Sequence, residues 1–170
     1  MLMIITITGL PGSGKTSVAK ELAKHLHIKY YSMGNIFRKL AKKEHLLLIN
    51  LMKKKNILWL MDKKQKLIAR NHKDAIIDSR LGAYLIKNAK YKIYLYASLR
   101  KRAARVVKRD KKTHKEAVND ILSRERKEIS YYKKHYNVDY RNKKLYDIIL
   151  NTEHLTVNQT TREILKKINF

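Results

Sequence analysis

The chain has 170 residues, enough for one domain with a single well-buried core, and its 44% apolar content is ordinary for a globular protein. It contains no cysteine, which excludes disulfides, thiolate zinc sites and thiol nucleophiles. A formal charge of +26 raises the question of a nucleic-acid-binding face. Lysines are scattered through every predicted helix, however, no basic block exceeds three consecutive residues, and no aromatic-glycine RNA-binding signature accompanies them, so no specific nucleic-acid partner is expected.

The first predicted element is a buried strand, Met1-Leu2-Met3-Ile4-Ile5-Thr6-Ile7-Thr8, apolar and β-branched. With no basic leader or small-residue cleavage site, it is expected to be core and not a signal peptide. It feeds into Gly9-Leu10-Pro11-Gly12-Ser13-Gly14-Lys15-Thr16, which fits the pattern G-x-x-x-x-G-K-[ST] without a mismatch. Behind it runs a helix, Thr16 to His27, with Val18, Leu22 and Leu26 at helical spacing. Strand, glycine loop and helix together predict a nucleoside triphosphate site. Glycines let backbone N–H groups curl around phosphate oxygens, and the new helix points its positive dipole end at the same anion. Lys15 can reach the β/γ-phosphates, and the Thr16 hydroxyl can ligate Mg²⁺.

Ile28 to Ser32 reads as a second strand, followed by a helix from about Gly34 to Glu44 with Ile36, Phe37, Leu40 and Ala41 on one face and Arg38 opposite. Residues 46 to 56 are too continuously apolar for their period to be read. A helix from Ile57 to about Asn71 is expected to turn Ile57, Leu60, Leu67 and Ile68 inward, with Asp62 and Gln65 sharing its other side. Lys53-Lys54-Lys55 interrupts the apolar stretch Leu46 to Met61, so no bilayer span is expected and the predicted compartment is the cytoplasm. Asp74 to Asp78 is a third strand, ending in a carboxylate expected near the Mg²⁺ and its waters. Lys92 to Tyr96 is a fourth. Ser98 caps a helix to about Asp110, Thr113 and Glu116 form a capping box for a helix to about Lys134, Tyr146 to Leu150 is a fifth strand, and Thr156 caps a closing helix, Val157 to Ile168. The alternation predicts an α/β fold, a doubly wound, five-stranded parallel sheet within a single domain, 1–170, with ligands at the carboxyl ends of the strands.

Arginine is the minority base in this lysine-rich chain, which makes its positions informative. Arg102, Arg105 and Arg109 form one stripe at i, i+3, i+7, about a quarter-turn from the apolar stripe Leu99, Ala103 and Val106, and are expected to flank the core without entering it. Arg124 and Arg126 begin a second cluster one helix later, and Arg80 follows the strand-end Asp78. A planar guanidinium grips phosphate oxygens in pairs, and several converging ones can neutralise a transferring phosphoryl group.

With these residues the chain resembles the nucleoside monophosphate kinases, and most the short-lid cytidylate kinases of the archaeal type. The resemblance runs from Ile5 to Ser17 at the phosphate loop through Ser32-Met33-Gly34-Asn35-Ile36-Phe37-Arg38, similar to the family's S-x-G-x-x-[FL]-R. It continues through Asp62-x-x-Gln65 and Asp78-Ser79-Arg80, similar to [DE]-G-R, then the lid arginines, Tyr132, Tyr136 and Asp139, and Tyr146-Asp147 leading to Asn151-Thr152. It implies transfer of phosphate from ATP, with Mg²⁺, to CMP and dCMP. Gly9, Leu10, Pro11, Gly12, Ser13, Gly14, Lys15, Thr16 and Ser17 would hold the donor phosphates. Ser32, Gly34, Arg38, Asp62, Gln65, Asp78, Arg80 and Arg126 would hold the acceptor, within a helical monophosphate-binding region over about 32–72. A short lid over about 102–126 would close on the transferring group, with Lys15, Arg80, Arg105, Arg109 and Arg124 acting on it and Arg102 a further lid candidate. Asp78 would reach the metal through water, and the protein is expected to be a monomer. Ser79 replaces the glycine usual in the third motif, where it could crowd the acceptor, and Tyr140-Arg141-Asn142 is basic where relatives tend to be acidic.

The alternatives are an adenylate-kinase-like or other small-acceptor kinase and, in a different class, a nucleotide-switched RNA-associated factor of ribosome assembly. No glycine triplet of the shikimate-kinase kind follows the third strand, and a zinc-bearing long lid is impossible without cysteine.

Overall fold

A computed structural model describes residues 3–45 and 55–169. Five strands, β1 (Met3–Gly9), β2 (Lys29–Ser32), β3 (Asp74–Asp78), β4 (Tyr91–Tyr96) and β5 (Ile148–Asn151), form one parallel sheet in the order β2-β3-β1-β4-β5. Parallel neighbours need crossovers, and helices supply them: α1 (Lys15–His25), α2 (Met33–Lys43), α3 (Lys55–Asn71), α4 (Gly82–Leu85), α5 (Leu99–Asp110), α6 (His114–Tyr136) and α7 (Val157–Lys167). The sequence that falls on 46–54, whose period could not be read, lies outside the described residues.

Strand alternation divides the core. Ile5 and Ile7 of β1 pack with Val18 and Leu22 of α1, Ile76, Ile93, Leu95, Leu150 and Ile164 of α7 on one face. Ile4, Ala75 and Ile77 meet Met33 of α2 and Met61, Ile68 and Ala69 of α3 on the other. A smaller cluster, Ala103, Val106, Ala117 and Ile121, joins α5 to α6. The doubly wound parallel sheet expected from the alternation is the observed architecture, and its ligand crevice lies outside the carboxyl ends of β1, β3 and β4, where strand order reverses.

The caps also agree. Thr113 with Glu116 forms a reciprocal capping box, and Ser98 and Thr156 accept from the N3 N–H of the helices they open.

Helix α3 departs from expectation. Leu60 and Leu67, expected inward, are 46% and 51% exposed, while Gln65, expected on the opposite face, is 4% exposed. The buried stripe is Met61, Gln65, Ile68 and Ala69. Ile68 is buried as expected; the helix is apolar on more than one side, so its period admits two phases, and in the one that packs Met61, Ile68 and Ala69 enter the core while Gln65 accepts from the Ser79 hydroxyl.

Candidate active site

The carboxyl end of β1 turns into the phosphate loop because Gly12 and Gly14 adopt φ of +80 and +88, which L side chains avoid. A Cβ on Gly12 would stand 2.9 Å from the Arg102 carbonyl oxygen, so the loop also fits against α5 only without one. Gly14 caps α1, leaving the first N–H groups of that helix directed at the crevice. A cavity of about 460 Å³ lies over them, lined by Gly12, Ser13, Gly14, Lys15, Thr16 and Ser17, with Arg38, Arg109, Asp110 and Arg124 on its far side.

Register places Asp78 beside Ile7 on one side and Ser32 on the other, at the mouth of the sheet. The Thr16 hydroxyl donates to its Oδ2 at 2.8 Å, Lys15 Nζ lies 3.4 Å from Oδ1, and the Ser32 and Tyr30 hydroxyls donate to Oδ2 at 3.4 Å. Burial, with Arg80 and Arg124 nearby and Asp78 opposing, pulls the Lys15 pKa down to about 8. Burial and then Asp78 push the Tyr30 phenol up to about 12. Among the described residues no group of three or more His, Cys, Asp or Glu converges on a metal site. One hydroxyl and one carboxylate beside an anion cradle is instead the donor set that suits Mg²⁺, which keeps most of its waters and takes its remaining ligands from phosphate.

A second cavity, of about 90 Å³, opens beyond Asp78, lined by Met33, Gly34, Phe37, Arg38, Asp62, Gln65, Ser79, Arg80, Leu81, Arg124, Glu128, Tyr132 and Tyr136. That volume is smaller than the roughly 300 Å³ from which small-molecule sites usually start. A Cβ on Gly34 would meet the Arg38 guanidinium at 3.6 Å, an ordinary contact, so the space there does not by itself demand glycine. Asp62 accepts from the Tyr136 hydroxyl at 2.8 Å, and Gln65 accepts from the Ser79 hydroxyl at 2.6 Å. Ser79, expected to crowd the acceptor, is buried and turned toward Gln65.

Arg80 is 9% exposed. Its Nε donates to Glu128 Oε2 at 2.6 Å, its Nη1 donates to the Gly9 carbonyl, and its buried Nη2 has no hydrogen-bond partner. Glu128 also accepts from Arg124 Nε at 2.8 Å and from the Tyr140 hydroxyl at 3.4 Å. Burial pushes the Glu128 carboxyl up, but Arg80 and Arg124 overcome it and hold the pKa at about 2. Sequence reasoning passed over Glu128; its place one helical turn after Arg124, in a chain with few acids, was the available signal.

The arginines expected to form a lid have different surroundings. Arg102, expected to stay clear of the core, is 5% exposed: it donates to the carbonyls of Ala97 at 3.1 Å and Pro11 at 3.0 Å and pairs with Glu125. The amino end of α5 presses on the phosphate loop, and this guanidinium satisfies carbonyls buried there. Arg105 donates to Thr152 Oγ1 at 2.9 Å and to the Ser13 carbonyl at 3.3 Å, and lines a third cavity of about 390 Å³ with Val18, Leu155, Thr156 and Val157. It thus stands on the far side of the loop from Arg80. Arg109 pairs with Asp110 and borders the phosphate cavity. Arg126, expected at the acceptor, does not line the second cavity; it lies along a groove of about 970 Å³ beside α6 with Lys127, Tyr131 and Lys134. Tyr140 is buried against Glu128, and Arg141 pairs with Asp139 at the surface.

A parallel sheet with this strand order, a glycine cradle on a helix amino terminus and a second cavity across a strand-end carboxylate define a phosphate-loop kinase. Residues 4–154 match the model of the cytidylate kinase-like family. The chain is 39% identical over 173 residues to a cytidylate kinase of Sulfurisphaera tokodaii, covering 99% of this chain and 96% of that one. It is 38% identical over 168 residues to a cytidylate kinase of Saccharolobus islandicus, covering 96% and 89%. The chain belongs to the cytidylate kinase-like family. Solved structures share its fold: one of an uncharacterized protein from Eubacterium ventriosum (TM-score 0.79, 22% identity, 98% of each chain) and a shikimate kinase from Bacteroides thetaiotaomicron (TM-score 0.66, 13% identity, the whole of both chains).

Proposed function

We propose that the protein transfers the terminal phosphoryl group of ATP to CMP and dCMP, with Mg²⁺. One observation carries this reading beyond family membership: Arg38 and Arg124 each line both the phosphate-loop cavity and the acceptor cavity, so the two sites meet between a pair of guanidiniums. Phosphoryl transfer is carried by positioning and charge neutralisation, and it needs no covalent intermediate.

The loop Gly9 to Ser17, through its free backbone N–H groups (Pro11 has none, and that of Ser13 is given to the Leu10 carbonyl), and the Lys15 ammonium hold the donor phosphates in line. Thr16, with Asp78 through water, would hold Mg²⁺, which when bound neutralises charge between donor phosphate oxygens. Ser32, Arg38 and the unpartnered Nη2 corner of Arg80 hold the acceptor phosphate, and Asp62 and Gln65 read the base at the far end. Arg124 can leave Glu128 for the transferring group, since its side chain is 46% exposed. Arg105 serves the donor nucleoside side, and Arg109 closes from α5.

Family membership does not favour the adenylate-kinase-like or RNA-associated alternatives. We take the protein to act as a cytoplasmic monomer on small molecules; among the described residues no helix is long and apolar enough to cross a membrane. Coupled ADP release with ATP, Mg²⁺ and each nucleoside monophosphate in turn tests the assignment: CMP and dCMP are turned over best, AMP poorly. AMP preferred, or all four equal, overturns it.

A further inference from the structure

Gln65 and Ser79 are both buried, 4% and 6% exposed, yet both border the acceptor cavity beside Asp62. The Ser79 hydroxyl accepts the Leu81 backbone N–H at 3.3 Å, and its single proton is donated to Gln65 Oε1 at 2.6 Å. Turning the amide over would give the hydroxyl oxygen a second donor, which its other lone pair can accept, but would take from the buried serine proton the carbonyl that receives it. The amide is therefore locked with its carbonyl toward Ser79, and the amino end is the one offered to the cavity. One turn earlier on α3, Asp62 spends Oδ2 on the Tyr136 hydroxyl and is left with its other oxygen as an acceptor. The base-reading edge of the cavity is thus a donor followed by an acceptor.

We infer that Ser79 is a specificity-determining positioning residue: by pinning the Gln65 carbonyl it presents an amide donor that favours a cytosine over a uracil ring. Cytosine offers acceptors at O2 and N3 and a donor at its exocyclic amine, matching Gln65 and Asp62 in order. Uracil carries a proton on N3 and a carbonyl at position 4, so it meets donor with donor and acceptor with acceptor. Without the serine hydroxyl the amide can rotate and offer its carbonyl to the N3 proton of uracil, which removes the Gln65 share of the discrimination, leaves that of Asp62, and keeps the cavity. The inference rests on the acceptor assignment above.

The test is steady-state kinetics with CMP and UMP for the parent, Ser79→Ala and Gln65→Met, with circular dichroism to confirm folding. Ser79→Ala lowers the CMP-to-UMP ratio of kcat/KM by about tenfold, the scale of one positioned hydrogen bond. The change falls on acceptor KM, with kcat at saturating CMP and KM for ATP unchanged, a split that a loss of packing would not produce. Gln65→Met keeps the length of the side chain, lacks the amide, and loses the same ratio; it carries the test should Ser79→Ala fail to fold. A parent that prefers CMP while a folded Ser79→Ala keeps the full ratio overturns the role of Ser79 alone, as does an undiminished ratio in Gln65→Met. A parent that does not phosphorylate CMP overturns the functional assignment and this inference with it.

Discussion

Arg80 Nε and Glu128 Oε2 lie 2.6 Å apart, joining residues 48 positions distant in the chain and tying the long helix α6 to the end of the third strand. The same guanidinium bonds the Gly9 carbonyl, so helix α6, strand β3 and the start of the phosphate loop share one buried cation. Breaking a buried pair by removing one partner is costly, because the survivor keeps its desolvation penalty without its attraction.

That pair has an acid limit. The Glu128 pKa is held at about 2 against an ordinary 4.5, chiefly by burial opposed and overcome by Arg80 and Arg124. A lowered carboxyl pKa stabilises the fold fully above pH 4.5, and the contribution is lost as pH falls through 2. The difference corresponds to about 3 kcal/mol. Glu128→Gln should therefore unfold more easily than the parent in urea at pH 7, with the gap closing as both are titrated toward pH 2. A gap that stays constant between pH 7 and pH 2.5 would mean that the pair does not form.

Lys15→Ala should reduce transfer by about a hundred- to a thousandfold, the scale on which a preorganised donor acts. The fold should stand. Burial and the nearby Arg80 pull the Lys15 pKa down to about 8, so in the unliganded site its charge is tolerated more than used. Single-turnover transfer and thermal melting, measured together, check this: near-normal turnover would displace the loop from its role, and a collapsed melting transition would make Lys15 a structural residue.

Thr16→Val keeps the side-chain shape and removes the hydroxyl that faces Asp78. Mg²⁺ takes few protein ligands, so the loss of one should raise the half-saturating Mg²⁺ concentration markedly while leaving acceptor KM alone. Excess chelator should stop transfer in the parent without altering its circular dichroism. An unchanged Mg²⁺ requirement in the variant would remove Thr16 from the metal site.

How much of this could be read beforehand varies by element. The phosphate loop was legible because its glycines have a steric task that only glycine performs, and the helix starts at residues 98, 113 and 156 because a short hydroxyl in front of a helical period has one use there. The inward face of α3 was legible only in part: Ile68 is buried as expected, but Met61 and Gln65 take the places expected of Leu60 and Leu67, and Gln65 bonds there to Ser79, a partner 14 residues away. Arg102 was missed for a related reason. Helical spacing places it in a basic stripe, but the carbonyls of Pro11 and Ala97 that draw it inward belong to two other segments. Partners brought together by the sheet leave no periodic mark in the chain.

The +26 charge should be largely incidental to function. Exposed lysines occur on α1, α2, α3, α5, α6 and α7, so the charge is spread around the molecule and not gathered on one side. Binding to single-stranded RNA or duplex DNA should be weak and should fall steeply as salt approaches physiological strength. Filter binding across a salt series checks this, and tight binding to one structured RNA at that strength would restore the RNA-associated reading.

Arg80→Lys separates the catalytic from the structural work of that buried cation. The three corners of the arginine are differently engaged: Nε to Glu128, Nη1 to Gly9, and Nη2 buried without a hydrogen-bond partner in a side chain that lines the proposed acceptor cavity. A lysine retains the charge, and with it much of the attraction to Glu128, but a point charge on a flexible stem cannot satisfy a carboxylate, a carbonyl and an incoming phosphate together. We expect a loss of about 2–4 kcal/mol in transition-state stabilisation, read as a fall in kcat/KM for CMP. It should fall on turnover and acceptor KM, with ATP affinity spared, because the proposed contacts to the donor phosphates are backbone groups and Lys15. A parallel fall in ATP affinity would instead place the main task of Arg80 at the Gly9 carbonyl, holding the phosphate loop in shape. Transfer to CMP as fast as in the parent would leave Arg80 as the ion-pair partner of Glu128 and nothing more, and the acceptor phosphate would then have to be sought at Arg38 and Arg124.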